Sequence, residues 1–389
     1  MLQKVKIWTD KHLQGDPVIW GIVFILSIIS VLVVYSATGA LAFKTMGGDT
    51  EYYLLKHSIL TGLSLIAMWV AHKIDYRYYS RLARFALLLS VPLLIITFFY
   101  GMNLNSANRW ITIPLINQAF QPSDLAKLAL IASIAAMLSK RQLSIHDFNK
   151  AFVPIIIWVG IICGLIALSD VSTAALLFVT SMLLMFIGRV PTKFLALLLV
   201  VGILAGSLAL AVGQRLPTVI SRIEKFFDPE HVEFQAEQSY IAIATGGILG
   251  KGAGKSDQRN FLPHPYSDFI YAIIIEEYGL VGGVFVLALY LALLYRGMQC
   301  VYKSERAFGG LLSAGLSFAL VLQALINMGV AVGLGPITGL PLPLVSMGGT
   351  SQLFTGLAIG IILSVSRGAV DENVTDGRPA ANAPRPVAA

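Results

Sequence analysis

An all-α polytopic membrane protein with about ten transmembrane helices is the architecture this sequence demands, for three reasons. Of its 389 residues, 56% are hydrophobic and only 13% are charged, against roughly 25% charged in a soluble domain. Mean hydropathy is +0.76. Apolar runs of bilayer-crossing length recur along the chain, while the alternating segments of about ten residues that build membrane barrels are missing. Backbone groups find no partner in lipid, so helices remain as the spanning structure.

The first run, near 18–38, is long enough to stay as a span rather than leave as a signal peptide. Further spans are read near 54–74 and 82–100, followed by a polar loop, 101–120, containing Ser106-Ala107-Asn108-Arg109-Trp110-Ile111. The fourth span, 121–139, opens on Gln121-Pro122, and proline suits a first helical turn. Spans 152–169 and 172–188 are joined by a few residues around Asp170, which makes them a tight hairpin. After 193–213 comes the largest loop, 214–268, rich in glycine, charge and aromatics. Spans follow at 269–295, 308–333 and 347–366. Between the last two, the Gly/Pro-rich stretch Gly333 to Gly349 cannot be ordinary helix and reads as re-entrant, a backbone tolerated only against protein or a water-filled cavity. Gly356 and Gly360 give the last span a small-residue packing face. Residues 1–367 form the transmembrane domain, and the Ala/Pro-rich 368–389 reads as a disordered cytoplasmic tail.

The net charge of +7 is spread between apolar spans and forms no nucleic-acid patch. With the N-terminus inside, eighteen Lys and Arg residues fall in inside segments and three (Lys44, Lys56, Arg109) in short outside ones. That bias puts both termini in the cytoplasm and loop 214–268 outside. Cys163 and Cys300 are too isolated for a metal site or disulfide framework.

Several residues are candidates for chemistry. Asp268 stands where the large loop re-enters the membrane, after Pro263 and Pro265. It is placed to cap the helix that follows, and equally to act as a general base at the interface. Asp124 and Lys127 stand at i and i+3 on one helical face, as an internal ion pair or as a phosphate-binding lysine with its orienting acid. Arg109 suits a diphosphate. Asp170 is expected to cap the helix after it. Glu276 and Glu277, inside a span, need partners. Gln323 and Asn327 lie one turn apart in the ninth span, and Ser346 lies in the broken segment. Gly250 to Ser256 resembles a phosphate-binding loop, but Leu249 stands where that motif needs glycine.

Taken together, Arg109-Trp110, Gln121-Pro122-Ser123-Asp124-Leu125-Ala126-Lys127, Gln238 to Gly254, Phe261 to Gly279 and Asn327 to Ser351 resemble the SEDS family (shape, elongation, division and sporulation). The compact Gly252 to Arg259 is similar to its division branch more than to its elongation branch. The resemblance implies a peptidoglycan glycosyltransferase in the bacterial cytoplasmic (inner) membrane, at the division septum, that polymerises lipid II on the outer face. It implies that Asp268 is the essential loop aspartate, that Asp124 and Lys127 are the acid–lysine pair, and that Arg109 is the outer-loop arginine. It also implies a class B penicillin-binding transpeptidase and other division proteins as partners, beside lipid II, the growing glycan and membrane lipids. Departures from the family pattern are Asp124 for glutamate, His264 for glutamate and Asp170-Val171-Ser172 for Asp-Leu-Gly. A Mg2+ or Mn2+ ion would suit a diphosphate, but no ligands for one can be read. The rival functions are a lipid flippase, in which Glu276, Glu277 and the broken segment matter most, and a non-enzymatic division scaffold.

Overall fold

The computed structural model describes residues 12–45, 49–104, 107–113, 118–212, 216–228, 232–304 and 306–375. Lys4, Lys6, Lys11, Ser106, Arg215 and residues 376–389 lie outside this set. The helices are α1 (Pro17–Ala37), α2 (Gly39–Thr45), α3 (Thr50–Lys73), α4 (Tyr76–Tyr100), α5 (Pro122–Lys140), α6 (Val153–Ala167), α7 (Val171–Ile187), α8 (Thr192–Val212), α9 (Leu216–Phe227), α10 (Phe234–Gly246), α11 (Ile270–Lys303), α12 (Ala307–Ala331) and α13 (Thr350–Thr375). Each of the ten expected spans coincides with one of them. Among the described residues, seven helices are long and apolar enough to cross a membrane, one of them being α6 with the π-helical turn before it; α7 and part of α8 are shorter apolar helices.

Local chemistry starts these helices where they start. Asp16, Asp49, Asp75 and Asp170 each accept hydrogen bonds from backbone amides in the first turn of α1, α3, α4 and α7, satisfying donors that a helix start leaves over. Inside the bundle, hydroxyls turn back onto their own helix, as Thr180 does on the Leu176 carbonyl and Ser181 on that of Leu177. Small residues set the closest approaches. A Cβ at Gly356 of α13 would sit 2.3 Å from the Ser64 carbonyl of α3, and one at Gly360 2.4 Å from that of Met68.

Helix α1 is pinned to α11 at both ends. Arg296 Nε donates to Asp16 Oδ2 at 2.7 Å at one end, and Ser36 donates to Glu277 at the other. Helix α11 is not continuous. Gly279 has φ 71° and breaks it after its first turns. The freed carbonyls of Glu276 and Glu277 accept from the amides of Lys251 and Gly252, and the amides of Leu280 and Val281 donate to Gly247 and Ile248. The turn after α10 thus closes the gap in the helix. A Cβ at Gly250 or Gly279 would lie 2.2 or 2.1 Å from backbone oxygen on the other side, which is why both are glycine.

Three findings differ from the expected fold. Loop 101–120 carries a small antiparallel sheet, β1 (Met102–Leu104), β2 (Ala107–Ile113) and β3 (Gln118–Phe120), in the order β1-β2-β3, with Thr112 opposite Ala119. Strands occur here because the sheet caps the end of the bundle, where the constraint imposed by lipid on the spans does not apply. Loop 214–268 is built on α9 and α10 rather than on irregular chain. Helix α13 runs to Thr375, past the boundary at 367 expected for the tail, because no proline or glycine interrupts residues 369–375.

Candidate active site at one end of the bundle

The non-helical segment 332–349 does not leave the protein. Leu340, Leu342, Leu344 and Val345 are buried, and Tyr290 of α11 donates to the Pro343 carbonyl. The segment lies against the stretch Tyr266-Ser267-Asp268, and together with α12 it holds three successive carbonyls of it. The Met347 amide donates to Tyr266 at 2.9 Å, and Ser346 Oγ to Ser267 at 2.7 Å. Asn327 Nδ2 of α12 donates to the Asp268 carbonyl at 2.8 Å and to that of Leu340 at 2.8 Å. Ser346 Oγ also accepts from the Leu342 amide at 2.8 Å. Every one of these bonds holds backbone, and none uses the Asp268 carboxylate.

Capping does not use it either. Phe269 is the N-cap of α11 and no side chain caps that helix. Among the described residues the Asp268 side chain accepts a single 2.9 Å bond, from Ser267 Oγ, and it faces a cavity of about 620 Å³. Burial pushes this carboxyl above the ordinary carboxylate range, while the Ser267 hydroxyl and the charges of His264, Arg109 and Arg222 pull it back.

The same cavity is lined by Arg109, Asp124, Lys127, Asp170 and Gln323. Six residues expected from sequence therefore meet in one place, from the re-entry point, the β2 strand, α5, the α6–α7 turn and α12. Lys127 Nζ pairs with Asp124 at 2.8 Å, as the i, i+3 spacing requires, and the other Asp124 oxygen is buried without a partner. Asp170 caps α7 through the Thr173 amide and also accepts from the Thr173 hydroxyl. It pairs with Arg109 at 3.3 Å, and Arg109 Nε donates to the Ser169 carbonyl at 3.1 Å. Two of the three guanidinium nitrogens are thus committed to the protein, so the two-pronged hold that a free guanidinium makes on a diphosphate reduces to the remaining terminal nitrogen. Gln323 fixes the broken segment through the Pro341 carbonyl at 2.8 Å.

Asn327 and Ser346 stand behind the site as positioning groups. Glu276 and Glu277 do not line the cavity. Lys251 Nζ donates to Glu276 at 2.7 Å, joined by Ser256 Oγ and the amides of Asp257 and Gln258. The anion met by the glycine-rich turn is therefore the protein's own carboxylate, and that bond raises the Lys251 pKa. Arg259 donates to Ser36 at 3.1 Å beside Glu277.

His264, Tyr266 and Arg222 of α9 also line the cavity, and no local pattern marks the first two as cavity residues. The amphipathic spacing of 216–227 was the available signal for Arg222. Among the described residues no group of three or more His, Cys, Asp or Glu is arranged to hold a metal.

The family described as Cell cycle protein, that of FtsW, RodA and SpoVE, matches residues 16–370. A relative from Geobacter metallireducens, named probable peptidoglycan glycosyltransferase FtsW, is 35% identical, with 90% of this chain and 94% of that one covered. Stage V sporulation protein E of Bacillus subtilis is 31% identical, with 92% and 99% covered. Among solved structures, a chain of a peptidoglycan synthase complex that coordinates polymerization and crosslinking superposes with a TM-score of 0.69 at 27% identity, covering 91% of this chain and 98% of that one. The rod shape determining protein RodA of Thermus thermophilus gives 0.66 at 26% identity, covering 91% and 97%.

Proposed function

Since this chain belongs to the FtsW, RodA and SpoVE family of cell cycle proteins, we propose that it is a peptidoglycan glycosyltransferase that polymerises lipid II during cell division. One observation carries the chemical part of the reading. Three hydrogen bonds hold the successive carbonyls of Tyr266, Ser267 and Asp268, and the Asp268 carboxylate is left facing a cavity shared with Lys127 and Arg109.

The reaction follows from that arrangement. Asp268 accepts the proton of the acceptor sugar's 4-hydroxyl as the oxygen attacks the anomeric carbon of the donor. The new C–O bond forms as the bond from that carbon to the diphosphate breaks, and the electron pair leaves on the diphosphate oxygen. Lys127 and the open nitrogen of Arg109 stabilise that charge; fixed cations in a site shielded from water act strongly on developing charge. A single displacement inverts the anomeric centre and needs no covalent intermediate. Burial serves the base, because a carboxyl with a raised pKa takes a proton more readily than an exposed one.

The enzyme works in the cytoplasmic membrane, with the cavity end outward, at the division septum. Its partner is a class B penicillin-binding transpeptidase. The lysine and arginine bias supports the orientation, and the polymerizing and crosslinking complex that this chain resembles supports the partner. The test is glycan synthesis from lipid II by the purified full chain, with and without that transpeptidase. Glycan strands are expected. Transport of lipid II across a reconstituted bilayer without any strand formation would overturn the reading in favour of a flippase.

A further inference from the structure

Helix α9 is assembled inside out relative to a soluble helix. Ile220, Ile223 and Phe227 fall on one stripe and are 43%, 45% and 75% exposed. Arg222, partly buried, and Lys225, exposed, stand at i and i+3 on the opposite face and line a second cavity of about 220 Å³ between α9, α10 and the start of the broken segment. An apolar outer face with a cationic inner one fits a helix whose outside meets lipid and whose inside meets polar substrate. Arg222 lines the Asp268 cavity as well, so it stands at the junction of the two.

The charges in the two cavities differ in kind. Lys127 and Arg109 are each matched by a carboxylate. Among the described residues no carboxylate pairs with Arg222 or Lys225, although Asp228 and Glu233 also border the second cavity. Arg222 and Lys225 have no ion-pair partner among the described residues, and two such cations on one cavity suit an anion with more than one charge.

Resting on the reading of the chain as a lipid II polymerase, the chemistry says which anion. Both substrates carry a lipid-linked diphosphate. The donor's diphosphate is the leaving group and must lie beside Asp268. The acceptor attacks through the sugar at its far end, so its diphosphate lies one disaccharide away from the base. We propose that Arg222 and Lys225 form the acceptor's diphosphate site, with the acceptor sugars passing Arg222 into the Asp268 cavity and the donor held on the Lys127 and Arg109 side.

The full-length Asp268→Asn chain, which retains both sites and is expected to turn over about 10²–10⁴-fold more slowly, provides the test. It is placed in nanodiscs of zwitterionic lipid and titrated with lipid II, and bound copies are counted by native mass spectrometry. Two copies are expected. Adding Arg222→Gln and Lys225→Gln should leave one, with affinity for that copy within twofold. Arg222→Lys with Lys225→Arg should keep two, and a hundredfold excess of phosphatidylglycerol should displace neither. A single copy with Arg222 and Lys225 intact, two copies after their removal, or loss of the second copy to phosphatidylglycerol overturns the proposal. Glycan synthesis by the chain with Asp268 is measured alongside. Normal synthesis with one bound copy rejects the acceptor site alone, whereas no synthesis rejects the polymerase reading with it.

Discussion

Asp268 stands one residue ahead of the N-cap of α11, and its carboxylate takes no part in the cap. At residue scale this separates two roles that the sequence alone left together. Because burial raises its pKa, the folded state favours the protonated form more than the unfolded chain does. The stabilisation linked to this group is complete below the unfolded pKa and is lost as pH rises through the folded one. At neutral pH the ionised side chain therefore costs stability. Thermal unfolding at pH 7 should show Asp268→Asn melting at or above the unaltered chain, with the gap closing in acid. In the unaltered enzyme the rate should fall as pH drops through the raised pKa, earlier than for an exposed aspartate. Asn327 acts one step back. Asn327→Ala removes two bonds to carbonyls at 2.8 Å, each worth about 1 kcal/mol. Its kcat should fall about 10²-fold, as misplacement of a reacting group costs, with KM near normal. A change confined to KM would show that Asn327 serves substrate binding instead.

At the scale of elements, the interrupted α11 is the device that places the proposed base. Its first segment, from Ile270 to the break at Gly279, is held at one end by Asn327 and Ser346 and at the other by the turn around Glu276. Glu276 is fully buried and meets one lysine, one hydroxyl and two amides. Glu276→Ala leaves those groups unmatched and should destabilise the protein by about 3–5 kcal/mol, the cost of breaking a buried pair, measured as a fall in the unfolding midpoint in detergent. A midpoint unchanged by that substitution would mean that the turn after α10 does not lock the helix. The acids at 276 and 277 were legible in sequence as needing partners, since membrane carboxylates always do. Their partners were not legible. Lys251 reaches Glu276 only because the backbone at Gly250 and Gly279 crosses at a distance that no side chain permits, and no local spacing reports such a crossing.

For the whole molecule, hydrophobic run length located the seven helices that, among the described residues, are long and apolar enough to cross a membrane, because length and apolarity are all the bilayer asks. The sheet at 102–120 and helices α9 and α10 escaped notice because they lie outside that constraint, where short strands and an amphipathic helix carry weak local signals. Convergence of Arg109, Lys127, Asp170 and Asp268 on one cavity depends on packing such as that of α3 on α13. Gly356→Val would force atoms against the Ser64 carbonyl, 2.3 Å from a Cβ, and should lower both the unfolding midpoint and the rate. A rate lost at an unchanged midpoint would argue instead for a local role of that helix. The central claim concerns one proton acceptor. The most direct measurement is the rate of glycan formation from lipid II by the purified Asp268→Asn chain beside its parent, at equal protein and with matched unfolding midpoints. A loss of about 10²–10⁴-fold is predicted, the range for removal of a general base, and a rate within a few-fold of the parent would contradict the account.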